Sequence, residues 1–168
     1  DLDQVIGRCR DLGVKILALV NIETLGETIP PAHSDAWNDY NQRVANLAQK
    51  IAAFYHGKIN ALEVFNEPDS NNFTPEDYAA LLATVYPKVK SVSDVTVVLS
   101  GICCGLNHDY LKRVIELAPN SFDAVGWHPY ALRVEGYPFS DWGMGELRDS
   151  IVRAREIAGW RPTRRPGV

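Results

Sequence analysis

The stretch Ala61-Leu62-Glu63-Val64-Phe65-Asn66-Glu67-Pro68-Asp69 decides how this chain reads. A short apolar run delivers an amide and a carboxylate, then meets a proline that has no N–H to give a sheet ladder. The run therefore predicts a strand from Ile59 to Phe65 with Asn66 and Glu67 at its carboxyl end. Strand side chains alternate, which puts Glu63, Phe65 and Glu67 on one side and Val64 and Asn66 on the other, until Pro68 re-aims the backbone. A carboxyl group half-buried at a strand end is suited to proton transfer, because desolvation and a nearby second carboxylate both favour its protonated form. The plainer reading is a solvated glutamate at the start of a loop.

Working outward, short β-rich runs alternate with longer helical ones. Val5, Ile6, Cys9 and Leu12 recur at helical spacing over residues 3–12, and Gly13 is a natural stop. Val14 to Val20 is nearly continuous in apolar residues, as a buried parallel strand should be. After a loop containing Pro30 and Pro31, Trp37, Tyr40, Val44, Leu47, Ala48 and Ile51 trace one face of a helix over about 35–55.

Thr74-Pro75-Glu76-Asp77 is a helix start, with a capping hydroxyl, a proline at the first position and acids at the positive dipole end. That helix runs to about Lys90, and Pro87 is expected to kink it or end it early. Val95 to Leu99 predicts a third strand closing in Ser-Gly, Asn107 caps a helix to about Ala118, and Phe122 to Trp127 predicts a fourth strand. A last helix is expected from about Gly145 to Ala158. Strand–helix alternation of this kind gives parallel strands joined by right-handed crossovers.

The expected organisation is one α/β domain over residues 1–159, with an irregular tail, 160–168, too rich in Arg and Pro for a buried strand. A net charge of −4 leaves no electrostatic footprint for nucleic acid. No apolar run approaches the roughly 20 residues of a membrane helix. Cys9, Cys103 and Cys104 are an odd count with two adjacent, a poor disulfide framework and a poor metal set, and buried free thiols are the simple reading. His33, His56 and His108 lack metal-ligand spacing, and no phosphate-cradling glycine loop or Gly-x-Ser-x-Gly elbow is present. Neither metal nor cofactor is expected.

A second cluster, Trp127-His128-Pro129-Tyr130, stands at the end of the fourth predicted strand. Asn21, after the first strand, is a lone loop Asn, which is more often a turn residue than a ligand contact. Trp142, between Asp141 and Gly143, is a candidate stacking platform, whereas Trp37 lies on a helical apolar face and reads as core.

Taken with their order, Asn66-Glu67-Pro68 resembles the acid/base strand of the clan A glycoside hydrolases, and Trp127-His128-Pro129-Tyr130 resembles their sixth-strand motif. The resemblance implies a partial TIM (β/α)8 barrel, with about four parallel strands and intervening helices, running from the second helix to the sixth helix. It is nearest the cellulase and β-xylosidase branches. By that resemblance Glu67 is the general acid/base of a retaining glycosidase, and Asn66, Trp127, His128, Tyr130, Asn21 and Trp142 bind an oligo- or polysaccharide. A full barrel takes about 250 residues. The first, second and eighth strands, and the seventh with its nucleophilic glutamate, are not matched in these 168 residues. The chain is therefore expected to carry the acid/base without useful turnover; the alternative is a carbohydrate-binding module derived from such a barrel. Uncovered sheet edges are expected to invite self-association. Compartment is open, an extracellular one being favoured by the resemblance alone.

Overall fold

The computed structural model describes residues 1–32, 34–102, 107–129 and 144–159. Four parallel strands, β1 (Leu17–Val20), β2 (Ala61–Val64), β3 (Thr96–Ile102) and β4 (Ala124–Trp127), lie side by side in chain order. The helices are α1 (Leu2–Asp11), α2 (Ile22–Leu25), α3 (Asp35–Phe54), α4 (Pro75–Lys90), α5 (His108–Leu117) and α6 (Met144–Ile157). Each strand is thus followed by helix, the α/β alternation expected from the hydrophobic pattern.

One face of the sheet is closed by helices. Leu62, Val64, Val97 and Leu99 are fully buried there with Val44, Ala48, Leu81, Leu82, Val85, Leu111 and Val114 of α3, α4 and α5. Capping pins α4: Thr74 Oγ1 accepts from the Asp77 N–H, and Asp77 Oδ2 accepts from the Thr74 N–H and hydroxyl.

The opposite face is open at β1. Leu17 and Leu19 are 54% and 44% exposed and stand in register with Ala61 and Glu63. The expectation of a fully buried strand over Val14–Val20 fails for this reason: Val20 packs under the helices, but alternate side chains point to the uncovered face.

Pro87 does not end α4, which continues to Lys90; its N–H is missing, yet Val85 and Val89 on either side are fully buried and hold the helix to the sheet. β3 runs on through Ser100 and Gly101 to Ile102, beyond the strand end at Leu99 that the apolar run predicts. Pro68–Asn71 forms a 3₁₀ turn directly after the Asn-Glu pair.

The amino ends of the strands are tied by polar contacts. Asn60 Oδ1 accepts from the Ile16 N–H at 2.8 Å. Asp123 accepts from the Val97 N–H at 2.8 Å and the Tyr86 hydroxyl at 2.9 Å, and pairs with Lys90 Nζ at 2.7 Å. Burial works against the charge on Asp123, but these three donors outweigh it and hold its carboxyl below the usual range. No helix among the described residues is long and apolar enough to cross a membrane.

Candidate active site

At the carboxyl ends of the strands the backbone leaves regular geometry. Phe65 has φ of +73°, and Glu67 is left-handed at φ +44°, ψ +62°. Non-glycine residues in such conformations cost about 1–3 kcal/mol each and persist where surrounding bonds over-determine them. Those bonds are present. The Phe65 N–H donates to Val20 O at 2.7 Å, and the Phe65 ring is buried against Phe73. The Glu67 N–H donates to Ser100 Oγ at 3.2 Å. The Glu67 carbonyl accepts from the Ser70 N–H, the Ser70 hydroxyl and Asn71 Nδ2.

Ser100 reaches Glu67 because β3 carries one extra residue there. Leu99 pairs with Val125 and Ile102 with Trp127, so three steps along β3 match two along β4. Such a bulge re-aims side chains near the ends of a sheet. It also opens the β2–β3 ladder, in which Val64 O would otherwise receive the Ser100 N–H, as Val20 O receives that of Phe65. The hydroxyl of Tyr78, from α4, fills the gap: it donates to Val64 O and accepts from the Ser100 N–H, both at 2.7 Å. Burial pushes this phenol far above its ordinary range, so it stays a donor.

Glycines complete the arrangement. A Cβ on Gly101 would stand 2.1 Å from the ring of His128, and one on Gly126 would stand 2.7 Å from Gly101 N. The absent side chains let the imidazole lie against β3. His128 Nδ1 is then 3.0 Å from Glu67 Oε1, and Nε2 is 3.9 Å from Glu63 Oε1. An ionised carboxylate only accepts, so Nδ1 carries the proton whenever Glu67 is charged. Glu63 accepts from the Gly101 N–H at 2.9 Å. Side-chain exposure grades outward from Glu63 at 10% to Glu67 at 19% and His128 at 28%. The three form a series from sheet to solvent.

The structure thus joins Glu67 and His128, 61 positions apart in sequence, and adds Glu63, which strand alternation puts on the same side as Glu67. Asn66 lies between the two strained residues, and its carbonyl accepts from Asn71 Nδ2 at 3.0 Å. Asn21 follows β1 at the same end of the sheet; its N–H donates to Thr24 Oγ1, a local turn. Trp127 is not brought to Glu67. Its Nε1–H donates to Ser150 Oγ of α6 at 2.9 Å, and its ring lies 4.7 Å from that of His108 on α5, because neighbours on a strand face opposite ways. Trp37 is buried against Tyr40 and Phe73, as its helical position predicts. Tyr130, Trp142, His33, Cys103, Cys104 and the tail 160–168 lie outside the described residues. Cys9 is a free, partly exposed thiol rather than a buried one. No cluster of His, Cys, Asp and Glu among the described residues could hold a metal ion.

A xylanase from Cellvibrio japonicus, solved as a thermostable mutant, has a similar structure, with a TM-score of 0.58 over 94% of this chain. The fold is that of a partial TIM barrel. Identity to the xylanase is 12%, a level at which the likeness concerns the fold, and the match spans 51% of the xylanase chain. This chain thus spans about half the length of that solved structure. No protein-family model matches the sequence, and no curated protein matches it. In TIM barrels chemistry gathers at the carboxyl ends of the strands and stability at the amino ends. Glu67, His128 and Ser100 lie at the first, and Asp123, Lys90 and Asn60 at the second.

Proposed function

We propose that this chain carries the proton-donating part of a glycoside hydrolase site, with Glu67 as general acid/base and His128 as the group that orients it. The observation that carries the reading is the 3.0 Å contact between His128 Nδ1 and Glu67 Oε1 at the carboxyl ends of β4 and β2. A glycosidic oxygen leaves as an alcohol only if a positioned acid protonates it, and a half-buried carboxyl held by an imidazole is equipped for that transfer. The xylanase likeness supports the lineage through the fold it shares. Asn66 and Asn21 serve as hydrogen-bonding groups at the mouth, and the family resemblance adds Tyr130 and Trp142 to the residues that bind the sugar.

A retaining reaction needs a second carboxylate about 5–5.5 Å from the first. Among the described residues, the carboxylate that shares His128 with Glu67 is Glu63, and it is largely buried and bonded to the Gly101 N–H. Glu63 is therefore not offered to an anomeric carbon. The chain by itself binds neutral saccharide at this mouth and does not turn it over.

The test is an aryl β-glycoside assay, with oligosaccharide binding measured in parallel, on the chain and its Glu67→Gln variant. Binding that survives Glu67→Gln, with negligible turnover in both, is expected. Robust turnover abolished by Glu67→Gln would place a nucleophile that the cluster lacks. Absence of any saccharide binding would overturn the assignment.

A further inference from the structure

A separate cavity of about 900 Å³ lies beside the turn that holds Glu67, between segments 26–32 and 70–73. Neither Glu67 nor His128 lines it. We infer that this cleft is a second binding site, for a neutral oligosaccharide, outside the proposed catalytic mouth. The choice of saccharide rests on the function proposed above; the neutrality of the ligand rests on the cleft alone.

The lining excludes most other ligands. Among the described residues it contains no Lys, Arg or His, so none of them neutralises a phosphate, sulfate or uronate. Its two carboxylates are occupied within the protein: Glu27 pairs with Arg43 at 2.8 Å, and Asp77 accepts from Thr74. Both add negative charge against an anion. What remains to meet a ligand among the described residues is uncharged: the hydroxyls of Thr28 and Ser70, the amides of Asn71 and Asn72, and the apolar surfaces of Ile29 and Pro30. A purely apolar ligand would cover those hydroxyls and amides without replacing their water bonds. Alternating C–H faces and hydroxyls, as on a neutral sugar, match both kinds of surface. The volume lies near the upper end of the ~300–1,000 Å³ usual for small-molecule sites, which favours an oligomer over a single ring.

The cleft is also built into the strained turn. Asn72 is left-handed at φ +63°, and Asn71 gives its Nδ2 protons to the carbonyls of Asn66 and Glu67. That leaves the Asn71 amide oxygen as the acceptor for a ligand hydroxyl. The Asn71 side chain spans the wall between the cleft and the acid.

The experiment titrates the ¹⁵N-labelled chain with xylohexaose, cellohexaose and, as an anionic counterpart, hexagalacturonate. Amide signals are followed at Thr28, Asn71, Asn72 and the Trp37 indole, and separately at His128. Saturable shifts in the first group are expected, with at least one neutral oligomer binding ten-fold or more tighter than hexagalacturonate. Thr28→Arg combined with Asn72→Gly, which keeps the left-handed backbone, should weaken that binding ten-fold or more without moving the response at His128. Asn72→Gly alone, the milder variant, should weaken it less. Shifts confined to His128 and Glu67 would overturn the second site and leave the proposed function standing. Hexagalacturonate binding as tightly as the neutral sugars would overturn the cleft's ligand class. No shift anywhere would overturn both readings.

Discussion

The imidazole of His128 occupies the space that a side chain on Gly101 would need. A Cβ placed there would lie 2.1 Å from the ring atoms Cδ2 and Nε2. The position of the candidate acid's partner therefore depends on a missing methyl group one strand away.

Gly101→Ala should displace a side chain, and Gly126→Ala should displace backbone, since its Cβ would meet Gly101 N at 2.7 Å. An imidazole can swing aside and a strand cannot. Gly101→Ala is expected to lower stability by about 1 kcal/mol while breaking the contact to Glu67, and Gly126→Ala by about 3 kcal/mol or more. Urea midpoints, together with ¹⁵N histidine spectra for the protonation of Nδ1, check the ranking. The reverse order of stability would refute it.

Tyr78→Phe removes one oxygen that serves two backbone groups. Val64 O and the Ser100 N–H would both be left buried beside a phenyl ring. The expected loss is about 1–3 kcal/mol for each unsatisfied group, less whatever the strands recover by closing on each other. Hydrogen exchange at the Ser100 amide should accelerate well beyond that of other β3 amides. Unchanged protection there would show that the hydroxyl is dispensable.

Trp127→Phe and His128→Ala should separate packing from binding. Trp127 gives its indole N–H to Ser150 on the helix side, so its loss is expected to remove about 0.5–1.5 kcal/mol of stability with little effect on saccharide affinity. His128→Ala should do the opposite. Calorimetric binding and thermal unfolding on both variants make the comparison; a large affinity loss in Trp127→Phe would return that residue to the mouth.

Asp123 sets an acid limit to stability. Its carboxyl is held below the usual range, burial opposing but Lys90, the Val97 N–H and Tyr86 prevailing. The stabilisation is present above the unfolded value of about 3.9 and is lost as pH falls through the lower folded value. Asp123→Asn should be less stable than the parent at pH 6, with the gap narrowing as pH drops below about 4. A gap constant from pH 6 to the acid limit of folding would contradict this.

The strands, the five longest helices and the two motifs that meet at the candidate site were legible because each rests on local chemistry: apolar runs, caps and a proline stop. What was not legible depends on neighbours. Ser100 and Gly101 look like a turn in isolation, and only the pairing with β4 shows them as a bulge inside β3. Trp127 stands beside His128 in sequence and shares its composition logic, yet the strand sends the two rings to opposite faces. Glu63 looked like one buried acid among core residues, since neither His128 nor the Gly101 N–H is near it along the chain. The exposure of Leu17 and Leu19 follows from what covers the sheet, which hydropathy does not encode.

The left-handed backbone at Glu67 sets fitness for folding against fitness for chemistry. Glycine would sit more comfortably at that φ than the glutamate does. Any search for hardier versions of this protein that scores heat resistance alone should drift toward erasing the carboxyl proposed as the site's acid.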